Sequence, residues 1–317
     1  MKNKMKLRTA ANMGLLLCST AFLTSCGDGT MEVVQTISEE YAGIKEIQIE
    51  SGFLEVIYEG IEGQDEVLMT GTLESTRPGS YRLEYYVEGD VLEIELDQKN
   101  LIGSGRHQGV LYITGPTAME LDVESGSGIV RISNVQGDEL DFDAGSGVIE
   151  LYRVSANEID AEVGSGTIKG FDLEGKLLAN AGSGRLEFDD VLGDAELNVS
   201  SGVIRLKNLS GALNSQISSG NLHMERVNEI QNLRVSSGSI EGTEIGIGGA
   251  NTVLTCSSGR IRLQTYSDFA EYNFSFQAGS GRVRVGDSSS SGSLEINNGS
   301  AVTVKGSVSS GSIEIYN

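Results

Sequence analysis

Tryptophan is absent from this 317-residue chain, which has only two prolines, two histidines and three cysteines. Missing tryptophan removes an aromatic platform on which glycan-active enzymes seat sugar rings. Neither His107 nor His223 has a cysteine or acidic cluster beside it at metal-ligand spacing, so no metal ion or other cofactor is expected. Basic residues are scarce too: 23 Lys and Arg stand against 45 Asp and Glu, a net charge of −22. That balance disfavours nucleic acid and anionic headgroups as partners. Its ordinary meaning is a soluble exposed surface, and binding of calcium or basic ligands is the rarer one.

Glycine, by contrast, is plentiful at 42 residues, and much of it recurs in one phrase. A small residue, then Ser, then Gly closes on Gly128, Gly147, Gly166, Gly184, Gly202, Gly220, Gly238, Gly259 and Gly281, at spacings of 18 to 22. Counting each Gly as zero, positions +2 and +4 are apolar (Ile149 and Leu151, Ile204 and Leu206), as are −5, −3 and +7 in most repeats. A period of two means strands with alternate side chains facing a core. The inward phase flips at the Ser-Gly step, which predicts a corner there with glycine at φ > 0. Such short repeats are too brief for helical crossovers and suit parallel strands stacked coil on coil. The fold expected is all-β: a right-handed β-helix of about 18-residue coils, handed as parallel crossovers nearly always are.

The pattern starts early, with Ile47, Ile49, Gly52, Leu54 and Val56 matching −5, −3, 0, +2 and +4. Residues 65–113 break the period, and Arg82–Val87 and Val91–Leu96 alternate about Glu88-Gly89-Asp90, which reads as a hairpin. An atypical first section shields a solenoid end from pairing with other chains. Ser290–Asn317 keeps the theme irregularly and is expected to add two more coils.

The first residues read as a processing signal. Lys2, Lys4, Lys6 and Arg8 precede an apolar run, Met13–Leu23, too short to span a bilayer comfortably. It ends in Leu23-Thr24-Ser25-Cys26, which resembles the bacterial lipobox, where the leader is cut before a cysteine that receives lipid. An ordinary signal peptide or membrane anchor is the alternative. The expected layout is a signal peptide (1–25), a lipidated linker (26–33), an N-terminal β section with the hairpin (34–115) and β-helix repeats (116–317). Cleavage removes four basic residues and no acidic one, which takes the charge from −22 to −26. Cys18 leaves with the leader and Cys26 takes the lipid. Cys256, at an apolar −3 position, is expected to be a small buried side chain, and no disulfide can form.

Catalytic signals are weak. No Gly-x-Ser-x-Gly stands in a strand–turn–helix setting, and the glycine-rich phrases precede no helix, so neither a nucleophile elbow nor a phosphate loop is supported. Asp141 with Asp143, or Asp189 with Asp190, could pair as in β-helical lyases and hydrolases, but surface and turn acids are the commoner explanation. No aspartate recurs at a fixed place in every repeat, as calcium-binding nonapeptides require. No catalytic residue is assigned.

The lipobox, the Ile47–Val56 unit, the hairpin, Val110–Pro116 leading into Leu121–Gly128 and the Ser-Gly array together resemble a known family. It is the auto-transporter adhesin, or head GIN domain, family of Bacteroidetes lipoproteins and secreted proteins, and the resemblance covers residues 33–317. It implies a β-helix in the cell envelope and brings no catalytic residues. The function expected is therefore a non-enzymatic adhesion or scaffold lipoprotein of the outer membrane. The membrane is its partner through Cys26, and a surface glycan or protein is bound along an extended face (outward positions Glu150, Lys169, Glu187 and Arg205). A glycan-active β-helix enzyme and an envelope signalling partner are the alternatives.

Overall fold

The computed structural model describes residues 30–99, 105–249 and 252–317. Cys26 and the leader lie outside the described residues. Apart from one 3-10 turn, Phe269–Glu271, all regular structure among the described residues is β-strand. In the middle of the chain, each segment pairs in parallel with the one a repeat away. The strand Val148–Val163 lies between Ile129–Ala144 and Thr167–Ala181, with Ile149 level with both Val130 and Ile168. The spacing of 18 or 19 residues is thus the length of one coil.

A coil has two longer sides and a short third. Leu140, Phe142 and Ala144 point inward from one side, Ile149 and Leu151 from the next, and Val154 and Ala156 from the last, all buried. The row at −7 (Leu121, Leu140, Ile159, Leu177, Ala195, Leu213) lies outside the rows named above and completes the core.

The first corner differs from expectation. Positions −2 and −1 both face solvent, so the phase flips over two residues, and the serines (Ser146, Ser165, Ser201) point outward. Their backbone N–H groups, not their hydroxyls, tie the coils: Ser146 N–H donates to Gly126 O at 2.8 Å and Ser201 N–H to Gly182 O at 2.9 Å. The array glycines from Gly128 to Gly281 are not among the residues with positive φ, whereas Gly52 of the early unit is, at 59°. Those of the array are small for another reason. A Cβ on Gly202 would overlap the carbonyl oxygen of Gly184, and one on Gly238 that of Gly220, so close stacking excludes any side chain.

A second corner carries the strain instead. Position +6 is left-handed in seven consecutive coils: Asn134, Arg153, Asp172, Asp190, Asn208, Arg226 and Glu244, with φ between 53° and 59°. Asn and Asp tolerate this region, whereas for Arg153, Arg226 and Glu244 it costs roughly 1–2 kcal/mol each.

Both ends depart from simple sequence order. The hairpin forms as expected, with Tyr81–Glu88 antiparallel to Val91–Gln98. Val91–Gln98 and His107–Pro116 do not leave the stack, however; they pair in parallel with Glu46–Glu50 and Glu55–Ile61 and lie outside them. The Glu46–Ile61 unit joins the array two residues off the expected register, with Ile47 opposite Leu121 and Val56 opposite Val130. A slip of two keeps every side chain on its own face, so the pattern alone could not exclude it. Glu32–Ala42 closes this end, and the Gln35 side chain bonds Leu83 in both directions, donating to its O and accepting from its N, each at 2.9 Å.

At the other end, the final residues do not add two coils outside the stack. Thr303–Val308 inserts between Val253–Cys256 and Asn273–Ala278. Ser312–Tyr316 likewise inserts between Arg260–Thr265 and Arg282–Val285. Short antiparallel strands, Ser288–Ser290 and Leu294–Ile296, cover the outer edge of the Asn273–Val285 coil.

Candidate binding faces

The outward residues of the second side form a row along the stack, because coils in register place every +3 residue beside the next. Glu150 accepts from Arg131 Nε at 3.1 Å and Lys169 Nζ at 2.9 Å. These cations, Lys169 foremost, hold its carboxyl below the usual range. Arg131 also reaches Glu55, and Arg205 meets Glu187 at 2.7 Å. Further on, Glu314 lies 3.4 Å from Arg262 and 3.5 Å from Arg284. The four outward residues singled out from the sequence, Glu150, Lys169, Glu187 and Arg205, therefore stand in one row of alternating sign. Only at His223, between Arg205 and Glu241, does alternation lapse. There an open hollow of about 420 Å³ is lined by Arg205, Lys207, His223, Glu241, Arg262 and Tyr316.

The first side carries a different surface. Glu120, Asp122 and Glu124 lie beside Glu139, Asp141 and Asp143, and these beside Glu158, Asp160 and Glu162. Glu46 and Glu50 extend the surface outward, and Glu95 stands opposite Glu50. Like charges in register destabilise a sheet. The carboxyls show it: burial, then Glu139 and Asp160, push Asp141 up; burial, then Glu46, push Asp122 up. Lys176, 2.6 Å from Glu158, ends the acidic stretch. Asn180 and Asn198, bonded at 3.3 Å, follow it.

Between these faces the left-handed residues make a polar ridge. Arg153 Nε donates to Asn134 Oδ1, and Arg226 Nε to Asn208 Oδ1, each at 2.6 Å. Sequence reading missed this row, although Asn and Asp at four of its seven positions are the available signal.

The structure gives each of the candidates for chemistry a defined setting. Asp141 and Asp143 are neighbours on the acidic face. Asp189 and Asp190 both accept from Asn208 Nδ2, at 2.9 and 2.6 Å. His107 stacks edge-on against Tyr81 at 4.3 Å, its Nδ1 is 3.2 Å from Ser75 Oγ, and burial lowers its pKa. Cys256 is 1% exposed, and burial raises its thiol pKa. Tyr152 and Phe171 stack in parallel at 5.4 Å, each covering a face of the other. No group of three or more His, Cys, Asp or Glu side chains among the described residues is arranged to hold a metal ion.

A family model now places this architecture, matching residues 44–316. The chain belongs to the Toastrack DUF4097 family. This Toastrack chain is also similar to solved structures from Parabacteroides. One, from Parabacteroides distasonis and described as a candidate lipid binding protein, is 18% identical, with a TM-score of 0.45 over 92% of this chain and 98% of the other. A candidate adhesin from the same species is 16% identical at a TM-score of 0.43, covering 91% and 98%. Another, from Parabacteroides merdae, is 12% identical at 0.43, covering 92% and 98%. No curated protein matches the chain.

Proposed function

We propose that this chain is a non-enzymatic lipoprotein of the cell envelope, held in the outer membrane through lipid on Cys26. In this reading it is a right-handed β-helix that serves as an adhesion or scaffold module. The supporting observation is the pair of continuous outer faces, in which stacked coils align side chains in rows along the stack. Repeat proteins commonly bind through such extended surfaces. Of the two faces, the alternating one spends its charges on its own neighbours. The acidic one keeps carboxylates in register against their mutual repulsion, a local cost to stability of the kind that function retains. The partner it suits is a surface protein or glycan carrying positive charge. Acylated cysteine gives stable anchoring, since each buried CH₂ contributes about 0.8 kcal/mol. The test is fractionation of cells making wild type or Cys26→Ala, followed by binding of the soluble form to intact envelopes. Loss of membrane retention together with kept binding supports the reading. Continued fatty-acid labelling of Cys26→Ala, or turnover of an envelope polysaccharide, contradicts it.

A further inference from the structure

The alternating face ends in an excess of positive charge. Arg260 and Arg262 point outward from one strand, Arg282 and Arg284 from another, and all four are exposed. The strand between them, Ser312–Tyr316, sets Ser312 level with Arg260 and Arg282, and Glu314 level with Arg262 and Arg284. Four guanidinium groups thus surround one carboxylate. Glu314 is taken up by Arg262 and Arg284, at 3.4 and 3.5 Å. Among the described residues, the Arg260 and Arg282 side chains have no acidic partner, and the Ser312 hydroxyl between them has no hydrogen-bond partner. The next residues outward, Ser239 beside Arg260 and Ser289 beside Arg284, add hydroxyls and no charge.

Elsewhere on this face the cations are matched. Lys169 and Arg205 each meet a glutamate, and Arg185, which like Arg260 follows its repeat glycine, has Glu187 at 3.8 Å. Like charges in neighbouring positions cost stability unless a counter-charge relieves them. Arg260 and Arg282 are two strand separations apart, about 10 Å between backbones, so their long side chains can converge above Ser312. Guanidinium forks bind oxyanions through paired N–H donors, and the Ser312 hydroxyl offers a third donor from beneath. Beside Arg262 opens the hollow of about 420 Å³, where Tyr316, Glu225 and Glu241 give sugar hydroxyls a ring and two acceptors.

We propose that Arg260, Arg282 and Ser312 form an anion site for the carboxylate or sulfate group of an acidic polysaccharide, separate from the acidic face. The negative charge of the whole chain does not forbid it. The acidic face lies on another side of the coil, and at physiological salt exposed charges more than about 8 Å apart are largely screened. Position favours a polymer over the protein's own membrane. The site is at the opposite end of the stack from Glu32–Ala42, on the order of 50 Å away at one strand spacing per coil. A chain tethered through Cys26 presents it away from the bilayer. Only this last step rests on the anchoring proposed above.

The test uses the soluble Cys26→Ala protein at physiological salt. Polygalacturonate and dextran sulfate are the carboxylate and sulfate probes, neutral dextran the uncharged one, and phosphatidylcholine–phosphatidylglycerol vesicles the membrane. At least one acidic polysaccharide should bind and neutral dextran should not; which of the two binds names the group. Arg260→Ala with Arg282→Ala should weaken binding about ten-fold or more. Lysine at both positions should recover only part of it, since charge returns without the fork. Arg185→Ala should bind like the parent protein, and so should Asp141→Asn, which separates this site from binding at the acidic face. The proposal is overturned if neither acidic polysaccharide binds, or if vesicles bind and the polysaccharides do not. It is also overturned if the double alanine variant binds like the parent, or loses no more than Arg185→Ala does. Membrane retention through Cys26 is read by fractionation, so neither result decides the other.

Discussion

Arg262 and Glu314 lie 3.4 Å apart, although the Asn273–Ile296 segment separates them in sequence. That contact exists because the last coil is inserted, and it continues the alternation of sign that begins at Arg131. Stacking in plain sequence order would instead set Arg284 beside Arg262. Charge thus helps to specify the order of coils where apolar rows alone would accept either.

Glu314→Arg should therefore lower stability by about 1–2 kcal/mol, two attractions being replaced by two repulsions. Arg262→Glu with Arg284→Glu on the same chain should recover most of it. Thermal unfolding of the three variants measures this; a triple variant no more stable than Glu314→Arg contradicts the ordering role.

Gly202→Val should be among the most damaging changes, at about 3 kcal/mol or more, because the new side chain enters the Gly184 carbonyl. Ser201→Ala, at an exposed corner bonded through its backbone, should stay within about 0.5 kcal/mol. Chemical denaturation separates them. Equal effects would show that coil stacking does not exclude a side chain at 202.

Glu244 has φ 56° and its side chain is 62% exposed, with Arg226 no closer than 3.9 Å. Glu244→Gly should raise stability by about 0.5–1 kcal/mol, because glycine removes the left-handed penalty at little loss of contact. An unchanged or lower melting temperature would place the strain elsewhere.

Much of this architecture was legible because each coil repeats the period-two rows that end in Ile149 and Leu151 or Ile204 and Leu206. What escaped has physical reasons. Glycine at Gly202 signals both a turn and a close approach, and sequence cannot tell them apart. The two-residue register shift at Ile47 preserves its face. Insertion of Thr303–Tyr316 depends on contacts with residues fifty positions earlier, foreshadowed only by longer spacings. The faces were half legible: Glu150, Lys169, Glu187 and Arg205 were placed outward, but their mutual pairing, and the in-register acids Asp122, Asp141 and Asp160, appear only once coils are stacked.

The acidic face should make stability depend on pH with a definite sign. The Asp122 and Asp141 carboxyls titrate above their ordinary value in the fold, so the folded state holds their protons more tightly. Their penalty is complete above the folded pKa and is relieved as pH falls toward the unfolded one. Asp141→Asn should stabilise at neutral pH by a few tenths to about 1 kcal/mol. The gain should shrink as pH drops through the carboxylate range. Melting curves of both proteins across that range decide it; a gain that grows on acidification would reverse the sign.

Glu150 should behave oppositely. Its carboxyl is held low by Lys169 and Arg131, so its contribution is present above the unfolded pKa and lost as pH falls through the folded one. Glu150→Gln should cost about 0.5–1 kcal/mol at neutral pH and low salt, and little in acid or high salt. A cost independent of both would mean that packing, not charge, holds the row.

The central claim, binding along an extended face, is tested most directly by titrating the soluble Cys26→Ala protein onto intact envelopes with Asp122→Asn, Asp141→Asn and Asp160→Asn singly and combined. Contacts spread along a surface predict a loss of about two- to five-fold for each, roughly multiplying in the triple variant. Abolition by one substitution, or full binding by the triple variant, would contradict it.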